Sequence, residues 1–123
     1  MSTYTIPAPD APGNEWGRLA VSLPGWRWMS GMLDQKNWRY HAPVPRGRCD
    51  AVRPDPDDAG TAGCLLALLA ASCWIHRAAV LPRGAAVTVE TPDGLTVTGR
   101  ASTLGRAAIA AAAAIGRWPG GEE

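Results

Sequence analysis

Thiol and imidazole side chains are the first residues of this chain that could bind a metal. Cys73 and His76 are three positions apart, and Cys49, Cys64 and His41 are the other donors of these two types. Cys64 and Cys73 are nine residues apart, which on one helix places them about 13.5 Å apart along the axis and on opposite sides. Two such thiolates cannot share a tetrahedral zinc site with bonds of about 2.3 Å. We therefore expect no metal site, and reduced thiols that pack as small apolar groups.

A Cys–His pair could also supply a nucleophile and its base, with Cys73 beside His76 or His41. No glycine-rich oxyanion loop flanks Cys73, and the sequence lacks serine-nucleophile, phosphate-binding and dinucleotide-binding motifs. We therefore predict no catalytic residue and no cofactor, and interpret the chain as a non-enzyme. An enzyme of unrecognised class stays open as a third alternative, since the two histidines and a run of aspartates could form a site that sequence does not reveal.

The run of aspartates stands at positions 55, 57 and 58, and such a run could hold Mg²⁺. It comes directly before the residues that are predicted to begin the central helix. At a helix N-terminus, acidic side chains are favoured by the dipole and by capping, at about 0.3–1 kcal/mol each. Helix capping is therefore the preferred interpretation of Asp57 and Asp58.

Aromatic and arginine residues interleave at two places, Trp-Arg-Trp at 26–28 and Trp-Arg-Tyr at 38–40. Such platforms stack single-stranded nucleic acid at about 1–3 kcal/mol per base. The formal net charge of +1 gives no bulk attraction to nucleic acid or anionic lipid. We therefore prefer a hairpin that buries its Trp face and directs its arginines outward. The candidate binding residues are Arg27, Arg39, Tyr40, Arg46, Arg48 and Arg53.

Three segments have the apolar spacing of amphipathic helices. They cover residues 14–23, residues 61–76 with Thr61 as a candidate cap, and a last segment that follows Ser102 or Thr103 as its cap and ends at 115. The cations at the end of the central helix suit the negative end of its dipole. The core residues expected from the central helix are Leu65, Leu68 and Leu69. Those expected from the last helix are Leu104, Ala108, Ala111 and Ile115.

Two pairs of segments alternate apolar and polar residues as half-buried strands do. Residues 26–33 and 37–42 predict one hairpin, and 87–91 and 95–99 predict a second across a Pro-Asp-Gly turn. We therefore predict an α+β fold, in which an antiparallel β-sheet of two hairpins, about four strands, packs with two to three helices.

The predicted organisation is a single α+β domain over residues 14–118, between a flexible N-terminal arm (1–13) and a tail (119–123). A proline-rich loop (43–58), with a short edge strand at 49–52, precedes the central helix. The chain opens with no export signal, and its longest uncharged run, seventeen residues, is too short and too polar for a membrane span. We expect a cytoplasmic protein with no membrane partner.

Two strings of residues carry a family resemblance. They are LPGWRWMSGM (Leu23–Met32) and DPDDAGTAGCLLALL (Asp55–Leu69), followed by TLGRAAIAAAAA (Thr103–Ala114). These strings resemble the signature segments of a family of small bacteriophage and prophage proteins. The resemblance covers residues 16–117 in order. It departs at Ser30, where the family usually has proline, and in the sequence after the central helix.

The resemblance implies an αβα-type sandwich and a phage origin, but no activity. An excess of arginine over lysine, eleven against one, is also typical of GC-rich bacterial or phage genomes. We therefore predict a non-enzymatic phage or prophage accessory protein that binds a host or phage protein in the host bacterial cytoplasm. One version of it is an inhibitor of a host defence complex, such as an anti-CRISPR protein. The alternative is a nucleic-acid-binding accessory protein that uses the Trp/Arg hairpin and the basic residues of 39–53.

Overall fold

Residues 4–40 and 53–119 are described by the computed structural model. Within them the elements follow as α1 (Gly13–Ser22), α2 (Ala59–Ala70), β1 (Trp74–Leu81), β2 (Gly84–Glu90), β3 (Thr96–Ala101) and α3 (Leu104–Ile115). The strands form one antiparallel sheet in the order β1-β2-β3. The predicted α+β class is confirmed. The described residues contain a sheet of three strands and not the expected four.

The β2–β3 hairpin confirms the second predicted hairpin. Val87 and Val89 of β2 face the core and are fully buried, as their alternation indicates. Across the turn, the backbone N–H of Thr91 donates to the carbonyl of Leu95 at 2.8 Å. The Thr91 hydroxyl also bonds to the carboxylate of Asp93, which closes the turn from the side-chain side.

The predicted first hairpin is wrong as a pair of strands. Leu33 and Arg39 form an isolated bridge only. The carboxylate of Asp34 accepts two backbone N–H groups of this turn at 2.9 Å each, which folds the chain back locally. The Trp26 ring lies 5.8 Å from the ring of Trp118. The alternation fails to predict a strand because these rings pack in a cluster and not on a sheet face.

The helix α2 is shorter than predicted and ends at Ala70. Its N-cap is Asp58, whose carboxylate accepts the N–H of Thr61 at 2.9 Å, so Thr61 lies inside the helix and is not its cap. The predicted end at His76 is wrong, because residues 74–81 form β1. Aromatic and β-branched residues favour a strand there, and the two-residue turn that follows lets it pair with β2.

The helix α3 packs across β2 and β3 and confirms the last predicted helix, with Thr103 as its N-cap. Of the four core residues expected from it, Ala108 and Ala111 are fully buried, whereas Leu104 and Ile115 are partly buried against the same core. A methyl group on Gly99 of β3 would overlap the backbone of α3. Small residues on both sides therefore bring the helix backbone close to the sheet. The leucines expected from α2 are fully buried: Leu65, Leu68 and Leu69.

Residues 4–12, within the predicted N-terminal arm, contact the helical layer. The indole Nε1 of Trp16 donates to the carbonyl of Ala8 at 3.1 Å. The hydroxyl of Ser102 donates to the carbonyl of Pro9 at 2.6 Å. These bonds hold the segment beside α1 and the start of α3.

Trp118 closes the fold at the other end of the described chain. Its indole Nε1 donates to the carbonyl of Ala20 at 2.9 Å, and its backbone N–H donates to the carbonyl of Pro24 at 2.8 Å. The edge strand predicted at 49–52 lies outside the described residues. Among the described residues, no helix has the length and apolar character needed to cross a membrane.

Candidate protein-binding surface

Arg39, one of the predicted binding residues, lies in a two-pronged ion pair with Asp58. Its Nη2 donates to Oδ1 at 2.7 Å and its Nη1 to Oδ2 at 3.0 Å, and Nη1 also donates to the carbonyl of Gly31 at 2.9 Å. The hydrogen bond from Arg39 lowers the pKa of Asp58 to about 2. The guanidinium therefore connects the loop before it to the N-terminus of α2.

Tyr40 is half-buried in an aromatic cluster. Its hydroxyl donates to Oδ2 of Asp34 at 3.0 Å, and its ring lies 4.8 Å from that of Trp28. Trp28 is buried, and its ring lies 5.4 Å from the ring of Trp26. Of the aromatic residues in the two interleaved strings, Trp38 is the one that stays largely in solvent, at 64% exposed. The rings therefore serve mainly as packing.

Two of the other predicted binding residues lie within the described chain. Arg27 and Arg53 are half-buried. The backbone carbonyl of Arg53 accepts the N–H of Gln35 at 2.8 Å, which places it beside the loop that carries Arg39. Arg46 and Arg48 lie outside the described residues.

The run of aspartates stabilises the fold, as the capping interpretation predicts for Asp58. Asp57 accepts two bonds from Arg106 at 2.9 Å each and one from the Thr103 hydroxyl at 2.8 Å. Burial opposes ionisation of Asp57, but the hydrogen bonds from Arg106 and Thr103 outweigh it and lower its pKa. Asp55 accepts the backbone N–H of Asp57 at 3.0 Å. Across 4–40 and 53–119, no three His, Cys, Asp or Glu side chains group closely enough to hold a metal.

The two described thiols are free and are held by packing. Cys73 is buried, and the Cys64 thiol contacts the carbonyl of Ser30 at 3.3 Å. Burial raises the pKa of both thiols, which disfavours the reactive thiolate. His76 lies on β1 and its Nε2 is 2.8 Å from Oε1 of Glu90. No hydrogen bond therefore joins Cys73 to His76 in the described chain, and His41, the other candidate base, lies outside the described residues.

The strand β1 is the most exposed element of the sheet, and sequence reasoning missed it. Trp74 and Val80 are each 76% exposed, and they stand on opposite faces of the strand. The helix α3 covers β2 and β3 and makes few contacts with β1, so both faces of β1 are largely exposed to solvent. The sequence feature that could have predicted β1 is an aromatic and β-branched segment, followed by a two-residue turn and then by an alternating strand. We call residues 74–83 with Glu90 the β1 surface.

The hydrogen-bond ladder of β2 shows which of its backbone groups face β1. Thr91 bonds to Leu95 across the β2–β3 turn, so its backbone groups face β3. Successive residues of an antiparallel strand bond to opposite neighbours. Counting back along β2, Thr88 and Ala86 therefore direct their N–H and carbonyl groups toward β1.

The same alternation defines a free edge on β1. Arg77 and Ala79 are the register partners of the two β2 residues that face β1, so their backbone groups belong to the β1–β2 ladder. Ala78 and Val80 must then direct their N–H and carbonyl groups away from the sheet. No backbone hydrogen bond links either residue to another segment of the described chain.

The charge of the β1 surface is positive. Arg77 on the strand and Arg83 in the turn are exposed, and residues 71–89 include no acid. The acid that follows, Glu90, is bonded to His76. A binding partner therefore meets two arginines that have no ion pair among the described residues.

A cleft of about 620 Å³ adjoins the Trp74 end of the strand. Its lining includes the apolar residues Ile75, Cys73 and Pro92 and the polar residues Glu90 and Ser72. The cleft is open to solvent beside the exposed indole of Trp74. A side chain of a docked protein could enter it while the indole is covered.

Comparisons with known proteins give no significant match for this chain, whether to a family model, a curated protein or a solved structure. Its function is therefore inferred from the geometry, and the resemblance to bacteriophage proteins stays a prediction.

Proposed function

We propose that this chain is a non-enzymatic accessory protein that binds another protein through the β1 surface. The observation that carries the proposal is the pair of large apolar side chains, Trp74 and Val80, exposed on a strand whose outer edge pairs with no other strand of residues 4–40 and 53–119. Covering an indole removes on the order of 150 Å² of apolar surface from water, worth about 3–4 kcal/mol. Trp and Arg are also the residues that most often dominate protein interfaces.

The polar residues elsewhere support a binding function over a catalytic one. Asp34 holds a turn, Asp58 caps α2, and Asp57 bonds to Arg106. Each of these carboxylates is already occupied in joining segments of the chain. Groups committed in this way are poorly placed to act on a substrate.

The nucleic-acid alternative has less support. Its aromatic platform requires free ring faces, yet Trp28 is buried and Trp26 and Tyr40 are half-buried. The guanidinium of Arg39 is engaged by Asp58. The phage origin, the host cytoplasm and the inhibition of a defence complex stay predictions alongside this proposal.

The test immobilises the protein and exposes it to lysate of a bacterium with a GC-rich genome. Three baits are compared by quantitative mass spectrometry: wild type, Trp74→Ala and Trp38→Ala, the last being a matched exposed tryptophan away from β1. We expect a protein that wild type and Trp38→Ala retain and that Trp74→Ala loses. Identical retention by all three baits, or nucleic acid retained only while Trp38 is intact, would contradict the proposal.

A further inference from the structure

We propose that the partner supplies an extended acidic segment that pairs with β1 as a fourth strand of the sheet. This inference rests on the proposed function, that the β1 surface binds a protein, and specifies the chemistry of the partner. It follows from three features of β1: its backbone edge, which is free among the described residues, the exposed apolar side chain of Val80 on one face, and the positive charge of Arg77 on the other.

The free edge supplies the backbone contacts. Ala78 and Val80 each present an N–H and a carbonyl outward, so an added strand can form four main-chain hydrogen bonds over residues 77–81. This stretch is in regular register with β2, whereas the ladder is irregular between Ile75 and Arg77. Five residues of strand extend about 17 Å, which is the length an added peptide needs to match. Strand addition to an exposed sheet edge is an established mode of peptide recognition.

The side chains of β1 define the pattern of the partner. Ala78 and Val80 lie on the face that α3 covers further along the sheet, and both are exposed. Arg77 lies on the opposite face. A segment that alternates apolar and acidic residues would place its apolar side chains beside Val80 and its carboxylates beside Arg77.

A second copy of this chain fits the edge less well than an acidic partner. Pairing β1 with itself would bring Arg77 and Arg83 of one copy close to the same residues of the other, and like charges across strands are destabilising. Charged side chains and irregular register are devices by which edge strands avoid self-pairing. The edge is therefore protected from self-association but open to a segment of opposite charge.

The test uses two fluorescein-labelled ten-residue peptides, one alternating valine with glutamate and one alternating valine with lysine. Fluorescence anisotropy measures their binding to the full chain. We expect the glutamate peptide to bind, with an affinity that falls as salt is raised, and the lysine peptide to bind at least about tenfold more weakly. Arg77→Glu should remove this preference, whereas Arg100→Glu, an exposed arginine on the far strand, should preserve it.

A backbone test accompanies the charge test. Ala78→Pro removes one outward N–H without touching the β1–β2 ladder, a change that edge strands tolerate. We expect it to weaken the glutamate peptide at least about tenfold, while Ala78→Val, which keeps the N–H, preserves binding. Hydrogen exchange on the wild-type chain gives the same information without a variant. The amides of Ala78 and Val80 should exchange fast when free and slow down with the peptide.

Several results would overturn the inference. Equal binding of both peptides would remove the charge argument, and unchanged exchange at Ala78 and Val80 would remove the strand. A wild-type dimer in light scattering that Ala78→Pro converts to a monomer would assign the edge to a second copy. If the glutamate peptide fails to bind while lysate capture still depends on Trp74, strand addition is wrong and the broader protein-binding proposal stands.

Discussion

Arg106 holds both carboxylate oxygens of Asp57, with Nε and Nη2 each 2.9 Å from its oxygen, across 49 positions of sequence. Its Nη1 donates to the carbonyls of Pro9 and Ala11 at 3.0 and 2.5 Å. The residue is 7% exposed. One buried guanidinium therefore joins three stretches of chain: the segment before α1, the start of α2 and the first turn of α3.

Replacing Arg106 by alanine should lower the free energy of unfolding by about 2–4 kcal/mol, because Asp57 loses its charged partner and the carbonyl of Ala11 loses its arginine donor. Urea denaturation followed by tryptophan fluorescence measures this change. Arg100→Ala is the matched control, since that arginine is exposed on β3, and its effect should stay within about 0.5 kcal/mol. Equal effects of the two substitutions would show that the junction contributes little.

The ion pair of Asp58 predicts a loss of stability in acid. Its pKa of about 2 in the folded chain lies below the value of about 3.9 for an unfolded aspartate. The resulting stabilisation is complete above about pH 4 and disappears as the pH falls toward 2. Asp58→Asn, which keeps a capping oxygen but no charge, should flatten this part of the curve in urea titrations at a series of pH values. A curve identical to that of wild type would contradict the assignment.

Two glycines should respond to alanine in opposite directions. A Cβ on Gly99 would overlap backbone atoms of Ala107 and Ala111 and force α3 away from the sheet, so Gly99→Ala should cost at least about 2 kcal/mol. Gly63 lies in the exposed middle of α2 with no atom within 4 Å of an added Cβ. Gly63→Ala should therefore stabilise the chain by about 0.5–1 kcal/mol. Thermal melts compare the two, and a change of the same sign in both would be inconsistent with the packing of α3.

Leu68 should be among the most costly residues to truncate. It is fully buried in α2, so Leu68→Ala should lower the free energy of unfolding by about 2–5 kcal/mol. Leu95→Ala is the control, because Leu95 is about half exposed in the β2–β3 turn, at 48%. An unchanged melting temperature for Leu68→Ala would show that α2 does not bury this face.

The elements predicted correctly from sequence are those with one buried face. Leu65 and Leu68 on α2, and Val87 and Val89 on β2, repeat with the period of their own element, so the pattern is visible locally. The strand β1 has no such period, because both of its faces are largely exposed, and it exists through its pairing with β2. The exposure of both faces makes β1 a candidate binding surface, and it also removes the apolar period by which a strand is predicted.

Long-range packing explains the other error. Trp26 and Trp28 alternate as strand residues do, but their rings cluster with Trp118 from the far end of the described chain. Nothing in the neighbouring residues specifies such a contact. The ion pair of Arg106 is equally invisible, since an arginine in an alanine-rich helix normally predicts a solvated position.

The position of Trp118 in the chain has a consequence for biosynthesis. Its indole bonds to Ala20 of α1, 98 positions earlier, and its backbone N–H bonds to Pro24. On the ribosome, α1 emerges long before Trp118 has been translated. The apolar face of α1 therefore lacks one of its packing partners during elongation. Contacts of such large sequence separation slow folding. The growing chain therefore depends on late closure, and a nascent polypeptide that stalls before residue 118 leaves an unfinished core exposed to aggregation or proteolysis.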